Sequence, residues 1–199
     1  GSSGGAFSTT GNTVRNLTST STSTSTGSSA SVIGISHTAS TTAGQTISNN
    51  TIHSLSNTTA SAAVLVTGLY YSGPTTGTNL ISRNFIHSLS NSSTSGTAAL
   101  FGIVAAAGVS TYQNNIVRLG VDAAGASLTN GTVMVGIDKT TTANNSFYHN
   151  SIYIGGTGVV SGTTNTLAFR RTSTGTDDVR DNIFYNNRSN TSGTGKHYN

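Results

Sequence analysis

The feature that most constrains this chain is an internal repeat with a period near 34 residues. Segments 47–57 and 81–91 are nearly identical and lie 34 residues apart. Weaker copies begin at Tyr112, Phe147 and Val179, and an early copy covers residues 11–15. A fixed period of this length is typical of solenoids and related arrays, in which neighbouring units stack and bury a shared core.

Alignment of the copies produces a column that is asparagine in every copy. Apolar residues lie three positions before this column in the five later copies and two positions after it in all six. This spacing indicates a short strand, a turn and a second strand. The asparagine column consists of Asn12, Asn50, Asn84, Asn115, Asn150 and Asn182.

A second marker, a glycine between apolar residues, keeps the same period. The segments are centred on Gly34, Gly68, Gly102 and Gly136, which are spaced 34 residues apart without exception. A degenerate fifth copy covers residues 167–169. Two independent markers that share one period argue against a chance resemblance between the copies.

Each repeat contains about three short β-branched segments separated by Gly, Ser, Thr and Asn. Helical repeats of similar length are excluded because helix formers are scarce and Glu is absent. A propeller blade would need about four strands and a longer period. We therefore predict an all-β, single-stranded parallel β-helix, or β-solenoid, of about six coils. We expect the β-helix to cover residues 12–190, with 1–11 as an N-terminal linker or edge and 191–199 as a C-terminal edge or continuation.

Stacking of coils explains the asparagine column. Equivalent residues in adjacent coils lie about 4.8 Å apart, so identical side chains form ladders. An asparagine amide can donate to one neighbour and accept from the other, which satisfies polar groups at an inward turn. We expect a structural asparagine ladder at these positions.

The composition excludes several classes of partner. Charged residues make up only 7% of the chain, and its nine Lys and Arg residues are scattered rather than arranged in a basic stripe. A nucleic-acid partner is therefore not expected. No apolar stretch is long enough to span a bilayer, so we expect no membrane insertion. The chain has no cysteine, so it contains no disulfide bonds.

Several segments resemble a known family of repeats. They are residues 47–53 (Ile-Ser-Asn-Asn-Thr-Ile-His), 182–187 (Asn-Ile-Phe-Tyr-Asn-Asn) and the ending 193–198. They are similar to the right-handed parallel β-helix repeats of large secreted bacterial surface proteins, in particular Bacteroidetes-type proteins exported by the type IX system. The resemblance covers roughly residues 12–198. It implies a right-handed helix, an extracellular or cell-surface location, and an adhesive or structural role.

Catalysis or metal binding would need clustered carboxylates. The chain has five acidic residues, and Asp177, Asp178 and Asp181 are close together in sequence, beside Arg180. One hypothesis is a Ca²⁺ site or a polysaccharide-cleaving site at these aspartates; the alternative is a solvated turn near the last coil. No serine elbow or phosphate loop is present, so we expect no catalytic residues, bound cofactor or firm metal site.

A second column, three residues after the asparagines, is predicted to face outwards and is called here the surface strip. The strip could stack on sugars or form an assembly surface; the alternative is a row of exposed, strand-compatible side chains. Its two histidines lie in adjacent coils, but two ligands alone make a poor metal site. The strip consists of Arg15, His53, His87, Arg118, Tyr153 and Tyr185.

Two functions are compatible with these patterns. The first is a non-catalytic extracellular module with a structural or adhesive role, whose coils stack end to end into a filament or continue into further repeats. The second is a polysaccharide-binding or pectate-lyase-like polysaccharide-cleaving β-helix, with glycans as partners. Convergence of Asp177, Asp178 and Asp181 with a basic residue in a groove would favour the second.

Overall fold

A computed structural model describes residues 5–39 and 41–199 of the chain. It is a β-solenoid of six coils, and each coil contributes one strand to each of three parallel sheets. The only helical turn among the described residues is a short 3-10 helix at Gly27–Ser29. The predicted fold class is therefore confirmed. No helix in the described part of the chain has the length and apolar character of a membrane span.

The first sheet contains short strands that precede the asparagine column. Its six strands stack in coil order. They are β1 (Ser8–Thr10), β4 (Thr46–Ser48), β7 (Leu80–Ser82), β10 (Thr111–Gln113), β13 (Ser146–Tyr148) and β16 (Asp178–Arg180).

The second sheet follows the asparagine column, and its outer face carries the surface strip. Its strands are β2 (Thr13–Ser19), β5 (Thr51–Asn57), β8 (Phe85–Asn91), β11 (Ile116–Leu119), β14 (Ser151–Ile154) and β17 (Ile183–Asn186).

The third sheet contains the glycine marker and closes each coil. Its strands are β3 (Val32–Thr38), β6 (Leu65–Ser72), β9 (Ala99–Ala107), β12 (Val133–Lys139), β15 (Thr166–Arg171) and β18 (His197–Tyr198). Strand β1 pairs with β4, and β18 pairs with β15. Paired strands therefore reach into both segments, 1–11 and 191–199, that the sequence assigns to edges.

The two sequence markers meet in the core. A Cβ added to Gly102 would lie 2.4 Å from Val117 Cγ1 and 2.4 Å from the Gly136 carbonyl oxygen. A Cβ on Gly68 would lie 2.4 Å from Ile86 Cγ2. Each glycine therefore leaves room for the apolar residue that follows the asparagine column in the next coil. This close approach explains why both markers keep one period.

An aromatic stack runs through the core along the axis of the solenoid. His37 and Tyr71 are stacked with ring centroids 5.4 Å apart. Tyr112 and Phe147 are stacked at 5.0 Å in later coils. The contacts continue through Phe169 to Phe184 in the last coil. Because each ring contacts a ring in a neighbouring coil, these contacts help to hold the coils together.

Candidate interaction surfaces

The asparagine ladder runs the length of the described solenoid. The Nδ2 of Asn50 donates to Asn84 Oδ1 at 2.9 Å, and the Asn50 backbone N–H donates to the same oxygen at 3.2 Å. The same pair of bonds joins every successive rung from Asn12 to Asn182. Asn50 and Asn84 are each 1% exposed. The bonds between rungs therefore have a direction: each asparagine donates to the Oδ1 of the asparagine in the coil that follows it.

The residue before each rung forms the turn between the first and second sheets. Its φ lies between +54° and +69° in all six coils, the left-handed region that Gly, Asn and Asp tolerate best. Asp181 occupies this turn position in the last coil. The six residues are Gly11, Asn49, Arg83, Asn114, His149 and Asp181.

A second polar ladder, which the sequence interpretation missed, lies five residues before each asparagine rung. The backbone N–H of Gln45 donates to Asn79 Oδ1 at 3.1 Å, and that of Asn145 donates to Asp177 Oδ1 at 2.9 Å. The sequence does carry a signal for this ladder, because the position five residues before the asparagine is polar in five coils. These residues are Gln45, Asn79, Ser110, Asn145 and Asp177.

The candidate aspartates have three different environments. The Asp177 side chain is buried, and its Oδ2 lies 3.1 Å from Lys139 Nζ and 2.9 Å from Arg171 Nε. Asp178 pairs with Arg180 at the surface, and hydrogen bonds from Arg180 and Tyr148 lower the pKa of its carboxyl group. Asp181 forms the turn described above. The described residues contain no group of three or more His, Cys, Asp or Glu side chains that could hold a metal ion.

A buried arginine near the last coil was also missed by the sequence interpretation. Arg188 is 5% exposed and donates to the carbonyl oxygens of Leu128 at 2.7 Å and Asn130 at 3.0 Å. Burial lowers the pKa of its guanidinium group to about 10. Arg188 also donates to the Gly155 carbonyl oxygen at 3.4 Å, so it links three coils through backbone carbonyls. Its isolated position in the sequence carries no signal of this role.

The surface strip forms as one column across the second sheet. The register pairs Arg15 with His53, His53 with His87, and His87 with Arg118. The two imidazole rings are stacked, with centroids 4.8 Å apart and planes 2° from parallel. Burial, together with the charges of His53 and Arg118, lowers the pKa of His87.

The later half of the same face is apolar. Ile116 is 49% exposed and Ile183 is 65% exposed on the outer side of β11 and β17. With Phe85, Tyr153 and Tyr185 they border a shallow hollow of about 290 Å³. Apolar surface of this kind often marks an interaction site.

The two ends of the solenoid expose core columns. Leu17 is 40% exposed, whereas Leu55 and Leu89, its partners in the next coils, are fully buried. At the other end Val179 is 43% exposed, whereas Phe147 in the preceding coil is fully buried. We call the surface of the first coil the N-terminal face and that of the last coil the C-terminal face.

Comparison of this chain with protein-family models finds no match, and comparisons with curated proteins and with solved structures find none either.

Proposed function

We propose that this chain is a non-catalytic structural β-solenoid module that associates end to end, with the C-terminal face of one copy stacked on the N-terminal face of the next. The observation that carries the proposal is the direction of the asparagine ladder. Asn12 Oδ1 accepts no hydrogen bond from a described residue, whereas each later rung accepts two. Asn182 is the last described rung, and its Nδ2 already donates to the carbonyl oxygens of Phe147 and Arg180. Its backbone N–H is the donor that a following rung would use, and Asn12 Oδ1 is the matching acceptor at the other face.

The apolar residues of the two faces support the same arrangement. Stacking would bury Leu17 and Val179 as their counterparts are buried inside the solenoid. The open strand edges of both faces would also gain partners, since exposed edges invite strand addition. A head-to-tail contact of this type does not close on itself and extends into a filament.

The state of the carboxylates supports a non-catalytic role. Asp138 accepts two hydrogen bonds from Arg170, at 2.8 and 2.9 Å. Asp177 and Asp178 are held in ion pairs. A pair of free, facing carboxylates, which glycoside hydrolysis requires, is not formed by these residues.

A concentration series tests the association. We expect the mass measured by light scattering to rise in whole multiples of the monomer over a roughly 100-fold concentration range. A mass that stays at the monomer value throughout would contradict the proposal.

Two charge substitutions test the direction of stacking. Leu17→Lys blocks the N-terminal face and Val179→Lys blocks the C-terminal face, because each would bury an unpaired charge. We expect each variant to be monomeric alone and an equimolar mixture to form dimers that grow no further. Dimers of either variant alone would indicate face-to-face contact and contradict head-to-tail stacking. Ile183→Lys, on the side of the last coil, is the matched control and should still assemble.

We also propose an extracellular or cell-surface location with an adhesive role. The resemblance to secreted surface repeats and the exposed apolar half of the second sheet support this proposal. Antibody labelling of intact cells that produce the chain should equal the labelling of permeabilised cells. Labelling only after permeabilisation would contradict it.

A further inference from the structure

A polar groove lies beside the surface strip in the first coils. It has a volume of about 390 Å³ and is closed on one side by the turn at residues 122–124. Two columns of polar side chains line it, and Thr18 Oγ1 lies 3.0 Å from Ser56 Oγ within one of them. The register places Ser90 next in that column. The lining residues are Asn16, Thr18, Ser54, Ser56, Ser88 and Ser90, and we call this site the hydroxyl groove.

The groove is built from ordered side chains. Ser88 is 5% exposed and its Oγ lies 2.9 Å from His87 Nδ1. Ser54 and His53 repeat this contact at 2.9 Å in the preceding coil. Both serines have a φ of +56°, which turns the chain at the floor of the groove. The hydroxyl positions are therefore held by the backbone turn and by the neighbouring imidazoles.

Asp122 lines the same groove. Its Oδ1 accepts hydrogen bonds from the backbone N–H groups of Ala124 and Ala126, both at 2.9 Å. Asp138, Asp177 and Asp178 are held in ion pairs and Asp181 forms a turn, whereas no ion pair joins Asp122 to another described residue. Asp122 is thus an oriented acceptor that the fold does not use for charge pairing.

We infer that the hydroxyl groove binds a linear neutral glycan that lies along the solenoid axis. Serine and threonine hydroxyls both donate and accept hydrogen bonds, as sugar hydroxyls do, and the Asp122 carboxylate supplies a strong acceptor. The columns repeat at the inter-strand spacing of about 4.8 Å, which presents an extended row of partners rather than a single pocket. The groove also falls in the range of about 300–1,000 Å³ typical of small-ligand sites.

The chemistry of the lining separates this ligand from others. One carboxylate with neutral hydroxyls is too few ligands for a firm cation site. The same carboxylate disfavours acidic glycans by like-charge repulsion. No large apolar side chain lines the groove, so an apolar peptide anchor has no counterpart there.

Binding to immobilised and free oligosaccharides tests the inference. The probes are neutral oligosaccharides of glucose, mannose, xylose and galactose, compared with uronic-acid and sulfated ones. We expect at least one neutral class to bind and the acidic classes not to bind. Ser56→Phe, which fills the groove, should reduce the affinity for the glycan, measured by calorimetry, at least about 10-fold. Asp122→Asn keeps the Oδ1 acceptor of the turn but removes the carboxylate, and should weaken binding as well.

Thr51→Phe is the matched control, since Thr51 lies on the same strand outside the groove and its partner in the next coil is Phe85. Its affinity should equal that of the unchanged chain, and circular dichroism should show all three variants folded. Failure of every neutral probe to bind would overturn the inference. Equal loss in Thr51→Phe, or no loss in Ser56→Phe, would overturn it too. None of these outcomes depends on end-to-end stacking.

Discussion

At the scale of single residues, the polar side chains inside the solenoid are placed by hydrogen bonds to the next coil. Asp177 illustrates this, because it is both the last described member of the second polar ladder and the counter-ion of Lys139. The Lys139 side chain is fully buried. Charges removed from water in this way are stable only when they are paired. The role of Asp177 is therefore structural.

We expect Asp177→Asn to reduce the free energy of unfolding by about 3 kcal/mol, because it leaves the buried Lys139 ammonium without its carboxylate. Urea denaturation measures the change. Asp178→Asn, one residue later at the surface, is the control and should change stability little, since exposed ion pairs contribute little. Equal losses in the two variants would show that burial of Asp177 does not matter.

His37 predicts a pH dependence. It is 3% exposed between Phe7 and Tyr71, and burial lowers its pKa below the ordinary value of 6.5. The unfolded chain then binds the proton more tightly than the folded chain, so stability falls as pH decreases through 6.5. His87 and His197 act in the same direction.

The melting temperature should therefore drop between pH 7.5 and pH 5. This pH range lies above the ordinary pKa of an Asp carboxyl group, 3.8. His37→Phe keeps a ring in the aromatic stack and removes the titrating group, so its drop should be smaller. A drop of the same size in both proteins would indicate that His37 does not contribute.

At the scale of elements, the packing of the third sheet depends on its glycine positions. The glycine of each of the first four third-sheet strands lies against the apolar residue that follows an asparagine rung, and against the backbone of the next coil. In the fifth coil Ala168 replaces the glycine and Phe184 lies in the corresponding apolar column. The residue at the glycine position and the apolar residue that faces it therefore set together how closely the second and third sheets approach.

We expect Gly102→Ala to destabilise the fold by about 1–3 kcal/mol, since the new methyl group would overlap the Gly136 carbonyl and Val117. Gly96→Ala is the matched control, because its nearest atom, Thr164 Cγ2, is 3.9 Å away. Its effect should stay within about 0.5 kcal/mol. Thermal and chemical denaturation of both variants measure the difference, and comparable losses would argue against the close approach.

At the scale of the whole molecule, stability is expected to depend on position along the stack, because the strands of each coil pair only with those of the neighbouring coils. Inner rungs of the asparagine ladder have partners on both sides. Asn84 receives two hydrogen bonds from Asn50 and donates to Asn115 Oδ1 and to the Ile47 carbonyl. Asn12, at the N-terminal face, receives none from a described residue.

Asn84→Ala should therefore reduce the free energy of unfolding by roughly 3 kcal/mol, as buried donors and acceptors lose their partners. Asn12→Ala should cost less than about 1 kcal/mol, because its rung is exposed and only its donated bonds are lost. Denaturation of both variants at low protein concentration, where stacking is absent, makes the comparison. Similar losses at the two positions would contradict a ladder whose strength depends on burial.

Periodicity alone predicts the class of fold, the number of coils, the asparagine ladder and the register of the surface strip. It does so because identical coils must place equivalent residues at one spacing, so a column in the sequence becomes a column in space. The buried contacts between Asn50 and Asn84 confirm the ladder that was predicted on this basis. The same reasoning could have found the second polar ladder from the offset of Gln45, Asn79 and Asn145.

Contacts between residues that are not in one column were decided by the tertiary structure. The sequence places Asp177, Asp178 and Asp181 together, but alternation along a strand and the left-handed turn give them separate partners. Likewise, the turn that brings Asp122 to the hydroxyl groove and the loops that surround Arg188 have no period. Their positions depend on how irregular segments pack against the coils, and a repeat in the sequence carries no information about that packing.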